Sequence, residues 1–217
     1  MLEIVQTADG SNTIYNPEVG ENYHSRNGAL QESQHVFVNS GLKYFLVENN
    51  AKEVAILEVG VGTGLNFLLT ADTCINQNIK LNYIGIEAYP LTKEMISQTG
   101  YNKYISPKLW QQFISSYPDR LQTQNCKLQI AHSTLQNFQS TQKFDIIYFD
   151  AFAVARQPEM WSEEAIAHTI HFLKQGGVFV TYAITGNLKR TLKALNCKIQ
   201  KIPGAAGKRE MLRAVKM

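Results

Sequence analysis

Three cysteines in 217 residues, Cys74, Cys126 and Cys197, are odd in number, far apart and without metal-ligand spacing, which leaves no disulfide framework and no cysteine metal site. No stretch approaches a membrane span, and the opening residues Met1-Leu2-Glu3-Ile4-Val5-Gln6 carry neither a basic n-region nor an apolar h-region. These absences predict a reduced, cytoplasmic protein with no membrane and no metal among its partners. Enough apolar material remains for a full core: 44% hydrophobic and 18% charged residues predict one α/β domain over 51–217, with residues 1–50 as an extension packed on it.

Charge is unevenly placed. From Thr181 onward there are nine basic residues and one acid, a net +8, against twelve basic and seventeen acidic residues before it, a net −5. A polyanion such as nucleic acid would suit that end, and so would a plain solvated face.

The chain is organised around Val54 to Leu69. An apolar run of strand length meets Gly60, Gly62 and Gly64 at alternate positions and continues into helix-favouring leucines, as a buried parallel strand does when it turns into a helix. Glycines there admit backbone angles closed to other residues and leave room for a ligand at the helix N-terminus. The dinucleotide spacing G-x-G-x-x-G is missing, which disfavours a nicotinamide enzyme. Glu58 precedes the glycines and Leu65-Asn66 follow, similar to the E-x-G-x-G-x-G loop of class I S-adenosylmethionine-dependent methyltransferases. A second strand, Leu81 to Glu87, ends in an acid about twenty residues on, where a ribose diol needs an acceptor.

Residues 1–50 hold no repeat or low-complexity tract. Turn chemistry at Asp9-Gly10 and Asn16-Pro17 precedes a polar segment and a helix from Gln31 to Glu48. His24, Glu32 and His35 are possible metal ligands in type, but nothing clusters with them, so hydrogen-bonding roles are expected. Past Glu87, helices are expected at Leu91–Thr99, Pro107–Tyr117 and Trp161–Leu173, the last stopped by Gly176-Gly177. Strands are expected at Lys127–Ala131, Phe144–Asp150, Val178–Ile184, Cys197–Ile202 and Met211–Val215. The alternation predicts a doubly wound, mostly parallel, seven-stranded Rossmann-like sheet closing in a hairpin, with ligands at the carboxyl ends of the strands. Asp150 ends one such strand, and its loop runs through Phe152 to Trp161.

Four blocks together resemble the methyltransferase component of the tRNA 5-methylaminomethyl-2-thiouridine biosynthesis protein: Asp145 to Trp161, Gly204-Ala205-Ala206-Gly207-Lys208-Arg209-Glu210-Met211-Leu212, Tyr23-His24-Ser25 through Phe37, and Glu87-Ala88-Tyr89-Pro90-Leu91-Thr92. The resemblance spans nearly the whole chain. It implies methylation of the aminomethyl group on the wobble uridine of tRNA, with S-adenosylmethionine as cofactor. Val154 departs from the family's F-A-P, and His132 stands where relatives place an acid at the adenine. The bifunctional relatives continue into a flavin oxidase domain; this chain stops at Met217, so FAD is not expected.

The resulting candidate site has Asp150 as the group that orients the amine and accepts its proton. Glu58, Gly60, Gly62, Gly64, Asn66, Glu87 and His132 are expected at the cofactor; Tyr23, Phe152 and Trp161 against the uracil; Lys208 and Arg209 on tRNA phosphates. Two alternatives stay open: a methyltransferase of the same fold acting on a small-molecule or protein amine, and a non-catalytic binding module.

Overall fold

A computed structural model describes residues 1–217. Its centre is an eight-stranded mixed sheet. In chain order the strands are β4 (Glu53–Val59), β5 (Lys80–Ile86), β6 (Arg120–Gln122), β7 (Cys126–Ala131), β8 (Phe144–Phe149), β9 (Leu173–Thr181), β10 (Cys197–Pro203) and β11 (Glu210–Lys216). Across the sheet they run β10-β11-β9-β8-β4-β5-β7-β6. The pairs β4/β5, β4/β8, β5/β7 and β8/β9 are parallel, and the two outer pairs on one side and β6/β7 on the other are antiparallel. Strand order reverses at β4, whose neighbours are β5 and β8, and there the crevice of a doubly wound sheet opens.

The period-2 alternation in β4 explains both layers. Val54 and Ile56 face one side, toward α3 (Leu65–Asn76), while Leu57 and Val59 face the other, toward α6 (Glu163–His171) and α7 (Gly186–Ala194). Glu58 falls on the α3 side by the same alternation and is fully buried. Residues 29–49 form one helical stretch, α1 (Ala29–Glu32), a π-helical segment Ser33–Lys43 and α2 (Tyr44–Asn49), lying on the sheet against α3 and β9. Gly41 permits that contact: a methyl there would stand 2.9 Å from the Tyr148 ring and 3.0 Å from Val180. Ahead of it, β1 (Glu3–Gln6), β2 (Asn12–Asn16) and β3 (Glu21–Asn22) make a small antiparallel sheet.

The expected helices at 91–99 and 107–117 are α4 (Lys93–Gln98) and α5 (Pro107–Ser116), started by Thr92 and Ser106 as side-chain caps. Three expectations need correction. The sheet has eight strands, the eighth being β6, too short at three residues to leave a periodic signal. Gly176-Gly177 does not stop a helix: α6 ends at His171, and the glycines lie inside β9, where the pairing slips between Phe144↔Leu173 and Ile146↔Val178. That strand also ends at Thr181 instead of Ile184. No helix is long and apolar enough to cross a membrane.

Candidate active site

A cleft of about 1080 Å³ opens at the carboxyl ends of β4, β5 and β8, above the common range for a single small-molecule site. Gly60 to Thr63 form its floor, Glu87 to Thr92 and Ser133 to Gln136 one wall, and Asp150 to Phe152 with Tyr182 the other. Residues 16–26 also line it. Six carboxylates line it, Glu18, Glu21, Glu32, Glu87, Asp150 and Glu159, against two permanent cations, Arg26 and Lys208. The cleft therefore favours cationic ligands although the molecule as a whole carries +3.

The glycine loop is shaped by protein contacts as well as by space for a ligand. A methyl on Gly60 would stand 2.5 Å from the Asp150 carbonyl, and one on Gly62 would stand 2.7 Å from the Tyr23 ring. Both take positive φ, 84° and 51°. Gly64 abuts Phe113 and starts α3 behind the cleft. Glu87 clamps the loop from β5: one oxygen accepts the Gly62 amide at 2.9 Å and the other the Tyr89 amide at 2.9 Å.

Behind the loop a hydrogen-bonded chain reaches the site. The Tyr83 hydroxyl donates to Glu58 Oε2 at 2.8 Å, and Asn66 Nδ2 donates both to Glu58 Oε1 at 2.9 Å and to Asp150 Oδ2 at 2.8 Å. Burial pushes the Glu58 carboxyl well above the carboxylate range, partly offset by the Asn66 bond. Asp150, facing the cleft, is pushed up to about 8, first by burial and then by Glu32, with Asn66 and Lys208 acting the other way. A carboxyl titrating there is far better matched to taking a proton from an amine than one near 4.

Tyr23 and Phe152 meet edge to face with ring centroids 5.1 Å apart, both on the cleft. Burial, then Glu87, raises the Tyr23 hydroxyl to about 12, so it stays protonated. Tyr182 donates to the Ala151 carbonyl at 2.9 Å and carries Lys208 Nζ 3.8 Å from its ring centroid.

The cleft thus gathers Gly60, Gly62, Glu87, Asp150, Tyr23, Phe152 and Lys208. Glu58, Gly64 and Asn66 lie behind it. His132 does not line it: its ring is half exposed and faces Asp119 at 3.4 Å, while the next residues, Ser133 to Gln136, do line the wall. Trp161 is turned into the core, its indole donating to the Phe152 carbonyl at 2.8 Å, so it braces the loop. Arg209 is exposed and away from the cleft. Of the three N-terminal residues of metal-ligating type, His24 bonds Thr63 at 2.7 Å, His35 bonds the Pro203 carbonyl at 2.8 Å and Glu32 pairs with Lys208. No His, Cys, Asp and Glu side chains group to hold a metal. Glu21, Glu32 and Tyr182 carried no sequence signal as cleft residues, because only the fold converges them.

Residues 96–217 match the family described as S-adenosyl-L-methionine-dependent methyltransferase, and the chain belongs to it. More particular likeness is to the tRNA 5-methylaminomethyl-2-thiouridine biosynthesis bifunctional protein MnmC: that of Marinomonas sp. (strain MWYL1) is 29% identical over 87% of this chain, and that of Magnetococcus marinus is 29% identical over 94%. The alignments cover 30% and 32% of those proteins, so this chain spans about a third of the length of the curated relatives it matches. Among solved structures, MNMC2 from Aquifex aeolicus superposes with a TM-score of 0.82 at 23% identity, over 99% of this chain and 70% of that one. DesVI from Streptomyces venezuelae shares the fold at a TM-score of 0.52 and 10% identity, over 86% and 93% of the two chains.

Proposed function

We propose that this methyltransferase acts in the cytoplasm on tRNA, methylating the aminomethyl group of a wobble uridine. The observation that carries the reading is Asp150, a cleft-facing carboxyl with its proton affinity raised, set among acids that attract an ammonium. The likeness to the MnmC proteins over most of the chain supports the same substrate.

The cleft suits the cofactor: Glu87 offers carboxylate oxygens at the end of β5, and acidic walls favour a sulfonium cation. When bound, S-adenosylmethionine supplies a methyl group on positively charged sulfur. Glu87 would accept its ribose hydroxyls, and the Gly60 to Thr63 backbone would bed the molecule. An alkyl ammonium has an ordinary pKa near that of lysine, about 10, and must lose a proton before it can attack carbon. Asp150 takes that proton and holds the amine by hydrogen bond, so one proton is released per methyl transferred. Residues 16–26 line the cleft, and from among them Tyr23, with Phe152, provides ring faces and edges for the uracil.

Glu87→Ala should weaken S-adenosylmethionine binding by about 1.5–3 kcal/mol through loss of the charge-assisted acceptor, as read by calorimetry on a variant that unfolds cooperatively. Unchanged affinity would remove Glu87 from the cofactor site.

Of the nine basic residues beyond Thr181, three are engaged internally. Lys208 pairs with Glu32, Arg213 lies on the Tyr44 ring and bonds Gln200 and the Ser40 carbonyl, and Lys216 bonds the carbonyls of Ile170 and Leu173. Lys189, Arg190, Lys193, Lys198, Lys201 and Arg209 form no intramolecular ion pair and are free to meet phosphates. Neutralising Lys189, Arg190 or Arg209 should each lower the magnitude of the log-affinity against log-salt slope for tRNA by about one unit or somewhat less, with cofactor affinity unaltered. Slopes that do not change would move the tRNA to another face. Nucleoside mass analysis of tRNA from cells lacking the gene tests the substrate directly: aminomethyl-uridine should accumulate at the wobble position, and an unchanged profile opposes the reading.

A further inference from the structure

Lys208 belongs to the basic end of the chain but is turned into the cleft. Its ammonium donates to Glu32 Oε1 at 2.8 Å, and the Glu32 side chain is 7% exposed. The second oxygen of Glu32 accepts the Ser25 amide at 2.8 Å. The loop carrying Lys208 is itself pinned, by Lys208 N to the Ala205 carbonyl at 2.8 Å and by Asn27 Nδ2 to the Ala206 carbonyl at 3.2 Å. Both ends of the chain therefore meet at one half-buried ion pair, lining the cleft that holds Asp150.

We propose that Lys208 is a positioning residue of the methyl-transfer site, its ammonium held inside the cleft to offset Glu32 beside Asp150, and not a contact to tRNA phosphate. This rests on Asp150 as the proton acceptor proposed above. Asn66 from α3 donates to Asp150, and the titratable groups that influence or are influenced by its charge are Glu58 from β4, Glu32 from α1, Tyr182 just past β9 and Lys208 from the loop before β11; Lys208 is the only cation among them. Without it, Glu32 would be a buried carboxylate lacking its counter-charge, a costly arrangement that also opposes a second negative charge on Asp150. Consistently, Glu32 raises the proton affinity of Asp150 and Lys208 lowers it.

The two members of the pair carry opposite charges on the cleft that holds Asp150, so removing one should move the Asp150 titration in the opposite sense to removing the other. The protein holds five aspartates, Asp9, Asp72, Asp119, Asp145 and Asp150, few enough to titrate by NMR with carboxyl-labelled aspartate and to assign with Asp150→Asn. The Asp150 midpoint, near 8 in the unaltered protein, should rise by about one pH unit or more in Lys208→Met and fall by a similar amount in Glu32→Gln. Lys208→Arg should keep it in place, and the double substitution should return it close to the starting value. Midpoints that stay still, or that move in the same direction in both single variants, overturn the inference. Should Lys208→Met fail to fold, Glu32→Gln decides, and a midpoint that does not fall overturns it. The titration uses the protein alone, so a failure to methylate tRNA leaves this result standing, and a failed titration leaves the substrate assignment untouched.

Discussion

Asp150→Asn should lower single-turnover methyl transfer about a hundredfold or more while leaving S-adenosylmethionine affinity nearly unchanged. The amide keeps the shape of the side chain but cannot accept a proton from an ammonium. The pH dependence gives the same prediction a sign. Because the Asp150 carboxyl titrates near 8 and acts only when ionised, kcat/KM should climb as pH rises through about 8 and fall away below it. In Asp150→Asn that limb should disappear, leaving only the rise due to the amine itself near pH 10. Near-normal turnover with weakened cofactor binding would make Asp150 a binding residue instead.

A methyl group at Gly60 should cost about 2–4 kcal/mol of stability, combining left-handed backbone strain with overpacking against a fixed neighbour. The obstacle is the Asp150 carbonyl at 2.5 Å, on a residue whose own amide is tied to the Val59 carbonyl at 2.9 Å, so relief requires parting the ends of β4 and β8. Gly10 is the control: its φ is 81°, but a methyl there would meet nothing within 4 Å, so Gly10→Ala carries only the backbone term. Urea unfolding should place Gly60→Ala well below Gly10→Ala, and equal midpoints would mean the loop yields to the methyl.

The central part of the fold is legible in the sequence because its signals are local. The apolar runs of β4, β5 and β8 are each closed by a glycine loop or an acid, which fixes three parallel strands and puts Gly60, Glu87 and Asp150 at one end of the sheet. What stays hidden depends on residues distant in the chain. Residues 16–26 are polar and turn-rich, with nothing in their pattern to say that they line the cleft; Glu32 and Lys208 meet across 176 positions. The basic stretch around Lys208 points it to phosphate, whereas in the fold it pairs with Glu32 on the cleft. Glycine misleads in β9 for a related reason: a Gly-Gly pair after a helix reads as a stop, whereas a methyl on Gly177 would stand 2.8 Å from the Lys174 carbonyl and 3.0 Å from that of Asp145, in a strand irregularity.

The most direct test offers the protein labelled S-adenosylmethionine together with tRNA bearing aminomethyl-uridine at the wobble position, and in parallel the same tRNA lacking that group. Label should enter the modified tRNA alone, and there only at the amine. Label in neither tRNA, from a protein that binds the cofactor, would contradict the account and point to a small-molecule or protein amine as the acceptor.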